Sequence, residues 1–226
     1  MFIELAQYNY PPSLYYIGLC YLNGTGVAQN HKHAFSFINN AAKRGNTTAQ
    51  YDLAVMIENG IGTEKNDTLA HEYFASAAAF DEPRALVEMY SRYLNGKIVG
   101  QDKETAEVML KKAAEQQYPP AMLEYGMFLM NDGRDGIKYI KAAAKEKLEE
   151  AMLYMYDYEH KAGNYKKAYT YAKELHHIDS HEGTRRMADC YYNGWGVSRD
   201  KRLAKDLYRE AAAAGNAEAR EILKGL

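Results

Sequence analysis

Asn23-Gly24-Thr25-Gly26-Val27 returns as Asn59-Gly60-Ile61-Gly62-Thr63 and again as Asn95-Gly96-Lys97-Ile98. The first glycines fall at 24, 60 and 96, a period of 36. A fourth copy, Asn193-Gly194-Trp195-Gly196-Val197, lies 98 residues past Gly96, so the units between lack 10 residues. The prolines hold the same phase: Tyr10-Pro11-Pro12-Ser13 and Tyr118-Pro119-Pro120-Ala121 are 108 apart, with Pro83 in step. Internal periodicity of this length reads as a repeat array. The units are 11–46, 47–82, 83–118, 119–148, 149–180 and 181–216, within one domain over 1–226. Partial caps are expected at 1–10, where residues 2–8 match the tail of a second helix, and at 217–226, which match the opening of a seventh unit.

Each unit reads as two helices. Helix A opens at the prolines, which suit a first turn whose N–H groups lack partners. It closes at Asn-Gly, where glycine takes the left-handed conformation. Helix B carries one small position (Ala34, Ala70, Ala106, Gly136, Ala168, Ala204) and, seven residues on, Ala41-Ala42, Ala77-Ala78, Ala113-Ala114, Ala143-Ala144 and Ala211-Ala212. Seven residues are two helical turns, so these share a face along which helices approach closely. One such unit cannot bury a core alone, so neighbours must stack.

The first unit carries Ile17, Gly18, Tyr21, Gly24, Gly26, Val27, Ala34, Ala41, Ala42 and Gly45; the sixth carries Met187, Ala188, Tyr191, Gly194, Gly196, Val197, Asp200, Ala204, Ala211, Ala212 and Gly215. This order resembles the Sel-one-like repeat family, longer-period relatives of tetratricopeptide repeats. The resemblance implies an all-α fold: a right-handed αα-superhelical solenoid of about six helix-turn-helix repeats with truncated terminal helices. It departs at Tyr90 and Tyr156, where Gly or Ala belongs, and a tyrosine there is expected to push the helices apart and bend the superhelix locally. Units four and five lose the Gly-x-Gly-Val loop, and unit five has Leu175-His176 in place of Ala-Ala.

Composition narrows the function. A net charge of −2 offers no basic excess for nucleic acid. No apolar run reaches membrane-spanning length. The start lacks a signal-peptide pattern, which places the protein in the cytoplasm, or in the periplasm or outside if a signal peptide has been removed. Cys20 and Cys190 share one repeat position five units apart, beyond the ~7 Å a disulfide spans. They read as buried free thiols of a reducing compartment.

The most enzyme-like stretch is Glu174 to Glu182, with His176, His177 and His181. On one helix, His177 and His181 would suit zinc, which would make the chain a metal-dependent hydrolase. Asp179-Ser180 aligns with the Gly45-Asn46 stop, which puts the two histidines on different helices. His31 and His33 read as surface histidines. No phosphate loop, Rossmann fingerprint or nucleophile elbow occurs, so no metal, cofactor or catalytic residue is expected.

The resemblance places helix A on the concave side. Counting from the core positions, the groove should present Tyr15, Leu19, Leu22, Tyr51, Val55, Glu58, Val87, Ser91, Leu94, Leu123, Met127 and Met130 from four mostly apolar units. Leu153, Asp157, His160, Arg185, Asp189 and Tyr192 follow from two polar ones. Exposed apolar stripes mark binding, and methionine adapts to varied partners. Asn23, Asn59, Asn95, Asn131 and Asn193 read as helix terminators rather than an amide ladder for a peptide. Trp195 reads equally as a loop hot spot or as a cover for a neighbouring unit's edge. The resulting expectation is a non-catalytic adaptor with a protein or peptide in its groove; the alternative is a bacterial immunity or regulatory protein that clamps one toxin or effector enzyme.

Overall fold

The computed structural model describes residues 10–226; apart from Tyr10, the expected cap at 1–10 lies outside them. Among the described residues there are thirteen helices and no strand. In repeats one to three these are α1 (Pro11–Asn23), α2 (His31–Lys43), α3 (Thr47–Asn59), α4 (Asp67–Ala79), α5 (Pro83–Asn95) and α6 (Lys103–Glu115). Repeats four to six give α7 (Pro119–Asn131), α8 (Ile137–Lys145), α9 (Glu149–Lys161), α10 (Tyr165–His177), α11 (His181–Asn193) and α12 (Lys201–Ala213), followed by α13 (Ala217–Lys224). The chain groups into two compact units, Met1–Ala121 and Met122–Leu226, divided within α7. Each unit is a stack of helical hairpins.

The punctuation is local chemistry. Gly24, Gly60, Gly96 and Gly194 close their A helices in the left-handed region. Asn59, Asn95 and Asn193 each donate a side-chain amide N–H to the carbonyl four residues back, at 2.8–2.9 Å. Those amides serve helix ends, as the terminator reading expects. The B helices start on Asn30, Asn66, Asp102 and Asp200, whose side chains accept backbone N–H groups of the first turn. The same four residues donate their own backbone N–H to the carbonyls of Tyr21, Ile57, Tyr93 and Tyr191, which ties each loop back to its A helix. The turn out of helix B is left-handed at Gly45 and Gly215, and equally at Asp81, Gln117, Lys147 and Asp179.

The second glycine of Gly-x-Gly has a further role. A Cβ on Gly62 would lie 2.1 Å from the His31 carbonyl oxygen, and one on Gly196 would lie 2.2 Å from that of Tyr165. Each loop therefore rests directly on the first turn of the preceding repeat's helix B. Repeat three has Ile98 at this position, held at φ +71 with its side chain 46% exposed. A β-branched residue is strained there, by about 1–3 kcal/mol. Ile98→Gly is expected to raise stability by about 1 kcal/mol in urea unfolding. A midpoint that falls would mean that the Ile98 side chain packs more favourably than its backbone is strained.

The core is built by exchange of volume. Gly18 and Gly126 leave room for Ile38 and Ile140, whose Cγ1 atoms would lie 2.5 Å from an added Cβ. In repeat five the sizes are reversed: Tyr156 comes from helix A and packs with Ala168 and Ala172 from helix B. Tyr156 is 4% exposed, so its bulk fills space that small residues vacate rather than adding to the pair. Leu175 likewise fills an Ala position, and the next repeat answers with Gly183, where an added Cβ would lie 2.2 Å from Leu175 Cβ. The equivalent residues elsewhere are Ala49, Ala85, Ala121, Ala151 and Ala219.

Candidate functional site

In the first unit the A helices are joined by charge. The Tyr15 hydroxyl donates to Asp52 at 2.5 Å; Asp52 pairs with Arg84 at 3.0 Å, and Arg84 with Glu82 at 2.9 Å. The Arg84 guanidinium lies 4.2 Å over the Tyr51 ring, which also meets Phe74 edge-on. A second rung joins Glu58 to Arg92 at 2.8 Å and to Lys97 at 2.7 Å. Arg92 also holds Glu88 at 2.9 Å and lies over the Phe74 ring. It is 1% exposed, a buried cation acceptable only because it is paired on this scale. Burial raises the Tyr15 pKa, and the adjacent Asp52 raises it further. Burial also raises that of Glu58, but Lys97 and Arg92 outweigh it and hold the carboxyl below its ordinary value.

The groove residues named from the sequence in this unit, Tyr15, Leu19, Leu22, Tyr51, Val55, Glu58, Val87, Ser91 and Leu94, are all half-buried. Tyr15, Tyr51 and Glu58 are engaged between repeats, while Leu19, Leu22, Val55 and Leu94 leave apolar surface beside the charged rungs.

In the second unit Met127 is 43% exposed, Leu123 and Leu153 are half-buried, and Met130 accepts the Tyr154 hydroxyl at 3.3 Å. Asp157 is exposed and paired with Arg186. Arg185, expected on the groove, is 8% exposed instead. Glu182 at 2.5 Å, Asp189 at 2.6 Å and Glu218 at 3.3 Å surround it. Burial opposes ionisation of Glu182, yet Arg185, Asn216 and Arg186 together bring its pKa down to about 2. Asp189 accepts the Tyr208 hydroxyl. Lys201 and Arg199 lie over the Tyr192 ring at 5.0 and 6.0 Å. Trp195 meets His160 at 4.4 Å and stacks on Tyr165 at 5.9 Å, so it covers the edge of repeat five.

The histidine stretch divides as its register implies: His177 ends α10 and His181 opens α11. His176 contacts Thr184 at 2.9 Å and Glu210 at 3.5 Å. No group of three or more His, Cys, Asp or Glu among the described residues is arranged to hold a metal. Both cysteines are free; Cys20 is half-buried rather than buried, and Cys190 is fully buried, its thiol pushed up to about 11 by burial. No helix among the described residues is long and apolar enough to cross a membrane.

The ladder residues Asp52, Arg84, Glu88, Arg92, Glu182 and Arg186 were missed in the groove count. Their signal is opposite charge near one period apart, as in Asp52–Arg84 and Glu58–Arg92, separated by 32 and 34 residues, or four apart on one helix, as in Glu88–Arg92 and Glu182–Arg186.

The Sel1 repeat pattern matches residues 11–46, 47–79, 89–118 and 181–216, more than half of the chain. The chain belongs to the Sel1 repeat family, whose repeats commonly serve protein–protein interaction. It is 27% identical over 202 residues to an uncharacterized protein of Neisseria meningitidis serogroup B, NMB1327, covering 87% of this chain and 43% of that one. The chain spans less than half the length of the curated relatives it matches. Among solved structures it superposes on c5321, a protective antigen of uropathogenic Escherichia coli with an SLR fold, at TM-score 0.82 and 22% identity; the match covers 98% of this chain and 50% of that one. A Sel1 repeat protein from Oxalobacter formigenes gives 0.79 at 25% identity, covering 95% and 65%. Immunity protein Pa5087 from Pseudomonas aeruginosa gives 0.60 at 19% identity, covering 90% and 81%. These likenesses define an all-α repeat fold of the Sel1 solenoid class.

Proposed function

We propose that the chain is a non-catalytic adaptor that holds a protein or peptide partner on the face carried by its A helices. The observation that supports this most is the composition of that face within each unit. Charged rungs fix the helices to one another, and apolar side chains stay part-exposed beside them, Leu19, Leu22, Val55 and Leu94 in one unit and Met127 in the other. Preformed apolar surface set among fixed charges favours binding because little ordering remains to be done on association. The likeness to Pa5087 supports the second reading, an immunity protein whose partner is a folded toxin or effector rather than a peptide.

Capture from lysate followed by mass spectrometry identifies the partner, and titration of single variants tests the surface. Met127→Ala and Leu94→Ala are expected to weaken binding about tenfold each while leaving the unfolding midpoint within about 1 kcal/mol of wild type. Asp157→Ala should change the on-rate and its salt dependence more than the off-rate. Lys111→Ala, on an exposed B-helix position paired only with Glu115, should do nothing. Wild-type affinity in the first three variants would remove the A-helix face from the partner's footprint. Binding of short peptides from the partner favours an adaptor, and binding of the intact folded partner alone favours the immunity reading.

A further inference from the structure

One position of helix A breaks the pattern of the array. Repeats one to four and six place Tyr21, Ile57, Tyr93, Leu129 and Tyr191 eleventh in their units, and repeat five places Glu159 there. In repeat one this residue stacks on a B-helix aromatic, Tyr21 on Phe37 at 5.7 Å. Repeat five keeps an aromatic at the second position, Tyr171, but opposes it with a carboxylate. Glu159 is 7% exposed. It accepts one short hydrogen bond, from the Asn164 side-chain amide at 2.7 Å, and has Lys167 Nζ at 3.7 Å. Burial raises the pKa of the Tyr171 phenol, and Glu159 and Glu174 raise it further, which keeps its hydroxyl a neutral donor beside them.

Space opens around this carboxylate. The connection from α9 to α10 is only residues 162–164, where repeat one uses 24–30, and α8 is four residues shorter than the other complete B helices. A cavity of about 330 Å³ results, lined by Lys141, Lys145, Glu159, Thr170, Tyr171 and Glu174 among others. A second, more open concavity of about 600 Å³ lies along Gly163, Tyr165 and Lys166 and shares Lys167 and Thr170 with the first. Glu159 is the buried charge of the lining, whereas Lys141, Lys145, Lys167 and Glu174 are exposed, so the exposed charges are net cationic.

We infer that this pocket docks a lysine or arginine side chain presented by an acidic stretch of a partner peptide. Charge complementarity selects that occupant. Glu159 has one short donor, and its ion pair with the exposed Lys167 is long at 3.7 Å, which leaves lone pairs for a cation with further N–H groups. An all-basic segment would meet three exposed lysines, and an all-acidic one would set a carboxylate against Glu159. A basic residue flanked by acidic ones satisfies both, and the shared concavity gives the flanking chain a path over Lys166 and Lys167. This surface is lined by α8, α10 and Glu159 of α9, and the inference does not rest on the proposed partner-binding face.

The test is calorimetric titration of the full chain with a blocked Asp-Asp-Arg-Asp-Asp peptide and with its Asp-Asp-Leu-Asp-Asp counterpart. The arginine peptide should bind with a Kd of about 1 mM or tighter, and the leucine peptide at least about tenfold more weakly. Glu159→Gln should weaken the arginine peptide about tenfold while Met127→Ala leaves it unchanged. Glu159→Leu, which restores the apolar pattern of the array, should abolish binding and raise Tm by about 2–4 °C. Equal binding of the two peptides, no binding of the arginine peptide at several times about 1 mM, or a Tm lowered by Glu159→Leu would each overturn the assignment.

Discussion

Gly183→Ala should destabilise the chain by about 1–3 kcal/mol, and shortening the side chain that it meets should not repair it. The added Cβ would lie 2.2 Å from Leu175 Cβ and 3.0 Å from the Leu175 carbonyl carbon, so part of the clash is with backbone that cannot rotate away. Leu175→Ala alone removes a fully buried side chain and leaves a void opposite glycine, at a cost of about 2–5 kcal/mol. The double variant keeps the clash, because alanine at 175 retains the Cβ and the carbonyl carbon that the new methyl would meet. The double variant is therefore expected to be less stable than Leu175→Ala, the two losses adding to within about 0.5 kcal/mol in a double-mutant cycle from urea unfolding. A double variant more stable than Leu175→Ala alone would show that the far end of the Leu175 side chain sets the spacing.

A comparable loss is expected from Gly196→Ala, with Gly26→Ala as its control. Both glycines are left-handed, at φ +72 and +74. An added Cβ at Gly26 meets nothing within 4 Å among the described residues, so Gly26→Ala should cost only the backbone strain of about 1–2 kcal/mol. At Gly196 the same methyl would be driven into the Tyr165 carbonyl, and lifting the loop would also draw Trp195 off His160 and Tyr165. That variant should lose about 3 kcal/mol or more, with hydrogen exchange accelerated at the start of α10. Equal losses for the two glycines would reduce the loop to a turn with no role between repeats.

The period made the helix starts legible because it was written in residues with local reasons to be there: Pro11, Pro83 and Pro119 at first turns, and Gly24, Gly60 and Gly194 at left-handed ends. The departures at Tyr156 and Leu175 were also visible, but their consequence was not. The helix that carries the large residue does not carry the small one that answers it: Gly183 belongs to the next repeat, and Ala172 to the other helix of repeat five. The charged rungs escaped for a similar reason: hydrophobic periodicity ranks Asp52, Arg84 and Arg92 as surface, whereas the structure buries Arg92 by pairing it across repeats. Arg185 reads as groove-facing from its register; Glu182 and Asp189, three residues before it and four after it on α11, are legible as partners, whereas Glu218 of α13 is brought in by the next repeat.

The pairing of Leu175 with Gly183 also bears on how such an array changes over generations. A repeat inherited whole by duplication or recombination carries only one half of that pair. Repeat six, copied to a place behind another repeat, would bring a glycine where alanine otherwise packs, and repeat five, copied ahead of an alanine, would bring a helix end that comes too close for that alanine's methyl. The smallest heritable block here is the stretch from the end of one hairpin to the start of the next, so the unit of exchange is offset from the unit of folding.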